Sequence, residues 1–227
     1  MVKYEGMSVE LLDVAGSDKT IVNTARLSMG DNGSWYELED GYDQQRAEKL
    51  IRYLAKHKHT SPFRHTMIAI KMKVPIFLAR QLMKHQVGLS CNEVSRRYVS
   101  EGLSFWGPTH WRLSPQESVK QGSGGDMPKP LNYVAWEAYN EGIEKALSTY
   151  EEMLKINVAP EMARSVLPQS MNCDVIWTGS LLAFAHVYNL RAGEGAQQEA
   201  KEFATLLQAV IKPKFPASWE ALTQWDD

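Results

Sequence analysis

Residues 66–86 read Thr-Met-Ile-Ala-Ile-Lys-Met-Lys-Val-Pro-Ile-Phe-Leu-Ala-Arg-Gln-Leu-Met-Lys-His-Gln, and the hydrophobic period changes inside them. Ile68, Ile70, Met72 and Val74 alternate with Met67, Ala69, Lys71 and Lys73, the period of a strand that buries one face. Pro75 lacks an N–H and suits the first turn of a helix. A helix is therefore expected from Pro75 to about Gln86, with Gly88 as its terminator. Upstream, Ala47, Leu50, Ile51, Leu54 and Ala55 repeat at helical spacing from a cap at Asp43. That stripe needs a partner surface, and the strand just described is the expected one. Ser8 to Val14 reads as a further short strand ending at Ala15-Gly16-Ser17-Asp18, and the acidic, turn-rich residues 29–43 read as a loop.

Downstream, residues 107–130 hold eight glycines and prolines, from Gly107 and Pro108 to Pro128 and Pro130. A loop of that length is commonly functional. Tyr139, Ile143, Ala146, Leu147, Tyr150 and Leu154 then repeat as a helix. Pro160 opens a short one carrying Glu161 to Leu167, which Pro168 ends. Val175 to Thr178 suits a strand and Ser180 to Arg191 a buried helix. A last helix follows Gly195 with Ala200, Phe203, Ala204, Leu207 and Val210, stopped by Pro213. No internal repeat or low-complexity tract interrupts this order, so a single α+β domain over residues 1–227 is expected.

Composition narrows the function classes. A chain of 227 residues builds a core without metal or disulfide staples. Its 25 Lys and Arg against 27 Asp and Glu give a net charge of −2, which argues against a nucleic-acid coat. Cys91 and Cys173 make neither a disulfide framework nor a C-x-x-C pair, which suits a reducing interior. The residues after Met1 lack the apolar stretch of a secretory signal. No apolar run approaches the roughly 20 residues that span a bilayer. The expectation is a cytoplasmic protein with no membrane partner.

The densest polar chemistry lies between Arg80 and Tyr98. Gln81, Lys84 and His85 are three and four residues apart, hence expected together on one helical face, with Arg80 near it. Ser90, Asn92, Glu93, Ser95, Arg96 and Arg97 follow. Paired arginines beside a serine suit a phosphate, because guanidinium forks bidentately and the hydroxyl adds a bond. A carboxylate at Glu93 suits a ribose hydroxyl or orients an arginine. The same groups also suit a solvated face, and periodicity alone does not decide between the two. His57, His59 and His65 lack the helical spacing of a metal motif, and no metal is expected. Gly122-Ser123-Gly124-Gly125 is not a P-loop. Arg164 and Arg191 each end an apolar helical run, where a cation complements the helix dipole.

Arg80-Gln81-Leu82-Met83-Lys84-His85-Gln86, followed after eight residues (Val87 to Val94) by Ser95-Arg96-Arg97-Tyr98, resembles the R-H-R-spacer-S signature of the flavin-dependent thymidylate synthases. Ser8 to Ser28, His59 to His65, Pro75 to Gln81, Ala163 to Pro168 and Asn189 to Ala192 resemble further blocks of that family in the same order. Lys84 and Gln86 stand where the signature has its two arginines. Lys84 keeps the charge without the planar fork, and Gln86 removes a charge.

The resemblance implies a small, mostly antiparallel sheet packed by helices, and a homotetramer whose sites are shared between subunits. It implies reductive methylation of dUMP to dTMP, with 5,10-methylenetetrahydrofolate as carbon donor and a hydride carried by FAD and refilled from NADPH. Gln81, Lys84, Glu93, Ser95, Arg96, Arg97 and Arg164 would hold dUMP. Arg191 would lie against the uracil as the catalytic residue, stabilising negative charge at N3 so that C5 becomes the nucleophile. Ser28, Ser61, Lys84, His85, Gln86, Glu93 and His186 would line the FAD site. Cys91 has no task in this chemistry. Two other outcomes stay open: water capture of the one-carbon unit to give hydroxymethyl-dUMP, and a relative that binds flavin or nucleotide without turnover.

Overall fold

The computed structural model describes residues 2–28, 30, 44–115 and 122–224. The Asp43 cap and all of the 29–43 loop but Gly30 fall outside them. Strands β1 (Ser8–Ala15), β2 (Met67–Pro75), β3 (Leu89–Glu93) and β4 (Asn172–Gly179) form one antiparallel sheet in the order β1-β2-β4-β3. The alternation in β2 behaves as its sequence requires: Ile68, Ile70, Met72 and Val74 are all buried. They stand opposite Gly179, Trp177, Val175 and Cys173 of β4.

Helices α1 (Asp18–Leu27), α2 (Gln44–Lys56), α3 (Ile76–Leu82), α4 (Lys129–Lys155), α5 (Pro160–Ala163), α6 (Leu181–Ala192), α7 (Gln198–Ile211) and α8 (Pro216–Thr223) complete the domain. Trp177 meets Phe184 of α6 edge-on at 5.6 Å and Phe203 of α7 at 6.5 Å, so these helices cover the apolar face of the sheet. A smaller core joins Phe105, Ile143 and Met171 around Tyr4, Tyr139 and Leu147.

Four features depart from the sequence reading or escape it. The stripe of α2 packs chiefly on α8 and α1 rather than on β2. The reason is that α8, opened by Pro216, follows the helix expected to be last. Helix α1 escapes a periodicity reading because Asp, Thr, Val and Asn are modest helix formers; buried Ile21 and Val22 hold it by packing. The segment after Gly88 forms β3. Helix α3 stops at Leu82, four residues short of Gln86.

Three contacts set α6 and its neighbours. Thr66, 5% exposed, donates from Oγ1 to Phe63 O (3.2 Å) and accepts from Leu181 N (3.0 Å). It thereby pins the 3-10 turn Ser61–Arg64 to the start of α6. The carboxylate of buried Asp18 accepts from Ala217 N (2.9 Å) and Ser218 N (3.0 Å), tying the start of α1 to the first turn of α8. Gly179 is required by packing: a Cβ there would lie 2.5 Å from Leu89 Cδ2 and 2.7 Å from Gly88 O.

Candidate functional site

The site is built where α3 ends. In a continuing helix the amide of His85 would donate to the carbonyl of Gln81. Here Arg191 of α6 donates from Nη2 to Gln81 O (3.3 Å), and His85 N turns to Leu82 O (3.0 Å). A guanidinium on this carbonyl complements the negative end of α3. Lys84, His85 and Gln86 therefore leave the helical face that carries Gln81.

Their directions then alternate. Lys84 and Gln86 line a groove of about 420 Å³ with Arg80 and Met83 of the α3 end, Glu93 at the end of β3, and Cys173 of β4. His85 turns instead toward α6. Its Nε2 accepts from Arg191 Nε at 3.0 Å, and its ring meets that of His186 edge-on at 6.1 Å. An imidazole accepting at Nε2 carries its proton on Nδ1. Burial, then the positive charge of Arg191 and the neighbouring His186, push its pKa down to about 4, so the ring is neutral near pH ~7. Burial also lowers the pKa of Arg191 from its ordinary value, yet a guanidinium stays charged. No carboxylate pairs with Arg191 among the described residues.

A second groove, of about 700 Å³, runs along α6 beside exposed His186. Leu182, Ala185, Tyr188 and Asn189 form one wall, and Leu222 and Thr223 of α8 the other. Asn189 Nδ2 donates to Leu222 O at 2.9 Å and fixes the end of α8 there. Both volumes lie in the range of small-molecule sites. The Oε1 of Gln81 is buried without a hydrogen-bond partner, a vacancy that a donor on a ligand would fill.

Beyond β3, Ser95 Oγ accepts from the amide of Arg97 (3.3 Å) and lies 3.5 Å from Arg97 Nε, and the Arg97 guanidinium sits over the Tyr98 ring at 5.1 Å. Arg96 is different: only 8% exposed, it donates to Glu101 O (2.8 Å) and Val99 O (3.4 Å). Its guanidinium holds the turn that follows Arg97. Ser61 opens the 3-10 turn packed on α6. Ser28 is exposed at the end of α1, and exposed Arg164 donates to Glu161 O at 3.2 Å within its own turn. Gln81, His85, His186 and Arg191 are thus gathered in one cluster, with Lys84, Gln86 and Glu93 around the adjoining groove. Among the described residues, no hydrogen bond or ion pair joins Ser28 or Arg164 to them.

Sequence reasoning left Arg80 out of the site, although its i−4 spacing from Lys84 pointed there. It also missed Asn189 and α8, whose contribution depends on contacts across the fold. Exposed Cys91 lies on β3 at the sheet edge. Burial first, and the charge of Glu93 second, push the Cys173 thiol up to about 12.

The family profile described as "Thymidylate synthase complementing protein" matches residues 10–217. Flavin-dependent thymidylate synthase from Kosmotoga olearia is 35% identical over 213 residues, covering 94% of this chain and 88% of that protein. The protein of the same name from Thermus thermophilus is 33% identical over 216 residues, covering 95% and 75%. Among solved structures, the UMP/dUMP methylase PolB from Streptomyces cacaoi, bound with 5-Br dUMP, superposes with a TM-score of 0.86 at 28% identity, covering 99% of this chain and 98% of that one. With the α3–α6 cluster in place and these likenesses over nearly its whole length, the chain belongs to the flavin-dependent thymidylate synthase family. Among the described residues no helix is long and apolar enough to cross a membrane.

Proposed function

We propose that the protein methylates dUMP to dTMP reductively, with methylenetetrahydrofolate as carbon donor and NADPH as source of the hydride. It acts in this reading as a cytoplasmic homotetramer with sites shared between subunits. The observation that carries the reading is Arg191: a half-buried cation, fixed by a main-chain carbonyl and a neutral imidazole, with no carboxylate among the described residues to neutralise it. A cation so held stabilises negative charge developing on a ligand without reorganising first. Placed against the uracil, it lowers the cost of charge at N3 and makes C5 the better nucleophile.

FAD fits the residues present. The α6–α8 groove offers apolar walls with His186 and Asn189, and Lys84 adds a cation to the groove next to it. Ser28, Ser61, Lys84, His85, Gln86, Glu93 and His186 are the residues proposed to hold FAD, which when bound supplies the hydride. Gln81, Lys84, Glu93, Ser95, Arg97 and Arg164 are proposed to hold dUMP, with Arg96 shaping the turn beside them. Lys84 serves as a point charge where a guanidinium would fork, and Gln86 contributes hydrogen bonds without charge. Arg164, whose bonds within its own chain are local, suits a site completed by a second subunit.

The test is the mass of the nucleotide product after incubation with dUMP, the folate and NADPH. Thymidylate supports the proposal; hydroxymethyl-dUMP indicates capture by water. Bound flavin with no nucleotide product indicates a binding protein. UMP is a second reading for the substrate, favoured by the likeness to a UMP/dUMP methylase, and running UMP beside dUMP in the same assay separates the two.

A further inference from the structure

We propose that His85 is a positioning residue for Arg191: with the Gln81 carbonyl it forms a two-point clamp that sets the guanidinium before nucleotide arrives. This deepens the reading above and rests on it for the identity of the ligand, though the clamp itself is a property of the free protein.

The guanidinium is held at two of its nitrogens. Nη2 donates to Gln81 O at 3.3 Å and Nε to His85 Nε2 at 3.0 Å. Two contacts on different atoms fix both the position of a planar group and the orientation of its plane about the Cδ–Nε bond, which one contact cannot do. The clamp is also chemically selective. Nε2 accepts only while the ring is neutral with its proton on Nδ1, and the cation beside it disfavours a second proton. Among the described residues, the groups facing this pair from the packed elements are His186 on α6 and Gln81 on α3, and neither supplies a negative charge that would draw Arg191 away. The remaining donors of the guanidinium are left for a ligand. Helix α3 ends at Leu82, so the loop carrying Lys84 and Gln86 begins where the clamp sits.

The experiment compares wild type with His85→Phe, which keeps a planar ring and removes the acceptor, and His85→Gln, whose Oε1 reaches the place of Nε2. dUMP affinity is measured by calorimetry at saturating FAD, alongside Tm and the ¹⁵N-detected signal of the Arg191 Nε–H without nucleotide. The clamp predicts that His85→Phe weakens dUMP about tenfold or more, the order for one charge-assisted hydrogen bond, and that His85→Gln, at saturating FAD, recovers most of that loss. It also predicts a slowly exchanging Arg191 Nε–H in wild type and His85→Gln that is lost in His85→Phe. Equal dUMP affinity in all three proteins, or an Nε–H signal indifferent to residue 85, overturns the clamp. So does a loss in His85→Phe that tracks Tm and is not recovered in His85→Gln. If wild type binds no dUMP but shows the protected Nε–H, the proposed function fails and the clamp stands.

Discussion

Replacing Asp18 by Asn tests how α8, and with it one wall of the α6 groove, is held. The Asp18 carboxylate is 8% exposed and accepts two backbone N–H groups, from Ala217 at 2.9 Å and Ser218 at 3.0 Å, at the start of α8. An asparagine offers one carbonyl oxygen and turns an NH₂ toward the second donor, leaving that amide unpaired. The loss combines one charge-assisted bond, at about 1.5–3 kcal/mol, with the charge–dipole attraction at a helix N-terminus, at about 0.3–1 kcal/mol. Allowing for partial relaxation, the expected cost is about 2–3 kcal/mol. For a chain of this length each kcal/mol moves Tm by roughly 2–4 °C, so the expected drop is roughly 5–10 °C. Thermal and urea unfolding of the two proteins measure it. Because Leu222 and Thr223 line the groove beside His186, flavin affinity should fall as well. A Tm within about 1 °C of wild type would refute the role given to this carboxylate.

Other outcomes follow from single contacts. Thr66→Val keeps the shape of the side chain but strips the acceptor from Leu181 N; a cost of about 1–3 kcal/mol in urea unfolding is expected. Gly179→Ala forces Leu89 and Gly88 away from β4 and should lower both Tm and nucleotide affinity, whereas unchanged values would mean that β3 yields freely. As pH falls from ~6.5, where an unfolded histidine takes its proton, to about 4, where folded His85 does, the unfolded chain binds the extra proton and stability drops. Discounted for a partly solvated ring, the drop is about 1 kcal/mol, is complete below the folded pKa, and should be absent in His85→Gln. Cys91→Ala, on an exposed edge strand, should keep most of the activity; a loss of three orders of magnitude with flavin still bound would make Cys91 the nucleophile.

Much of this was legible in local pattern. The alternation of residues 67–74 specified β2 and its buried face, and the apolar period specified α2, α4, α6 and α7, because each depends on neighbours within a few residues. The end of α3 was not legible: its Gln81 carbonyl is taken by a guanidinium over a hundred residues away in sequence, a contact that no local pattern shows. Helix α8 was hidden behind Pro213, which read as the stop of the last helix, although Pro216 soon opens another. The polar segment from Arg80 to Tyr98 stood out as chemistry. Which of its side chains turn inward did not: Arg96 and Arg97 are adjacent and alike, yet the first is spent on main-chain carbonyls and the second is exposed.

The account stands or falls on where the Arg191 guanidinium lies when nucleotide is bound. A structure of the protein with FAD and dUMP is the direct measurement. The account predicts the pyrimidine stacked on the flavin ring system, Arg191 at the uracil edge and still bonded to His85, and the phosphate among Ser95, Arg97 and an Arg164 supplied by a neighbouring subunit. A uracil ring bound elsewhere, with Arg191 facing solvent, would contradict it.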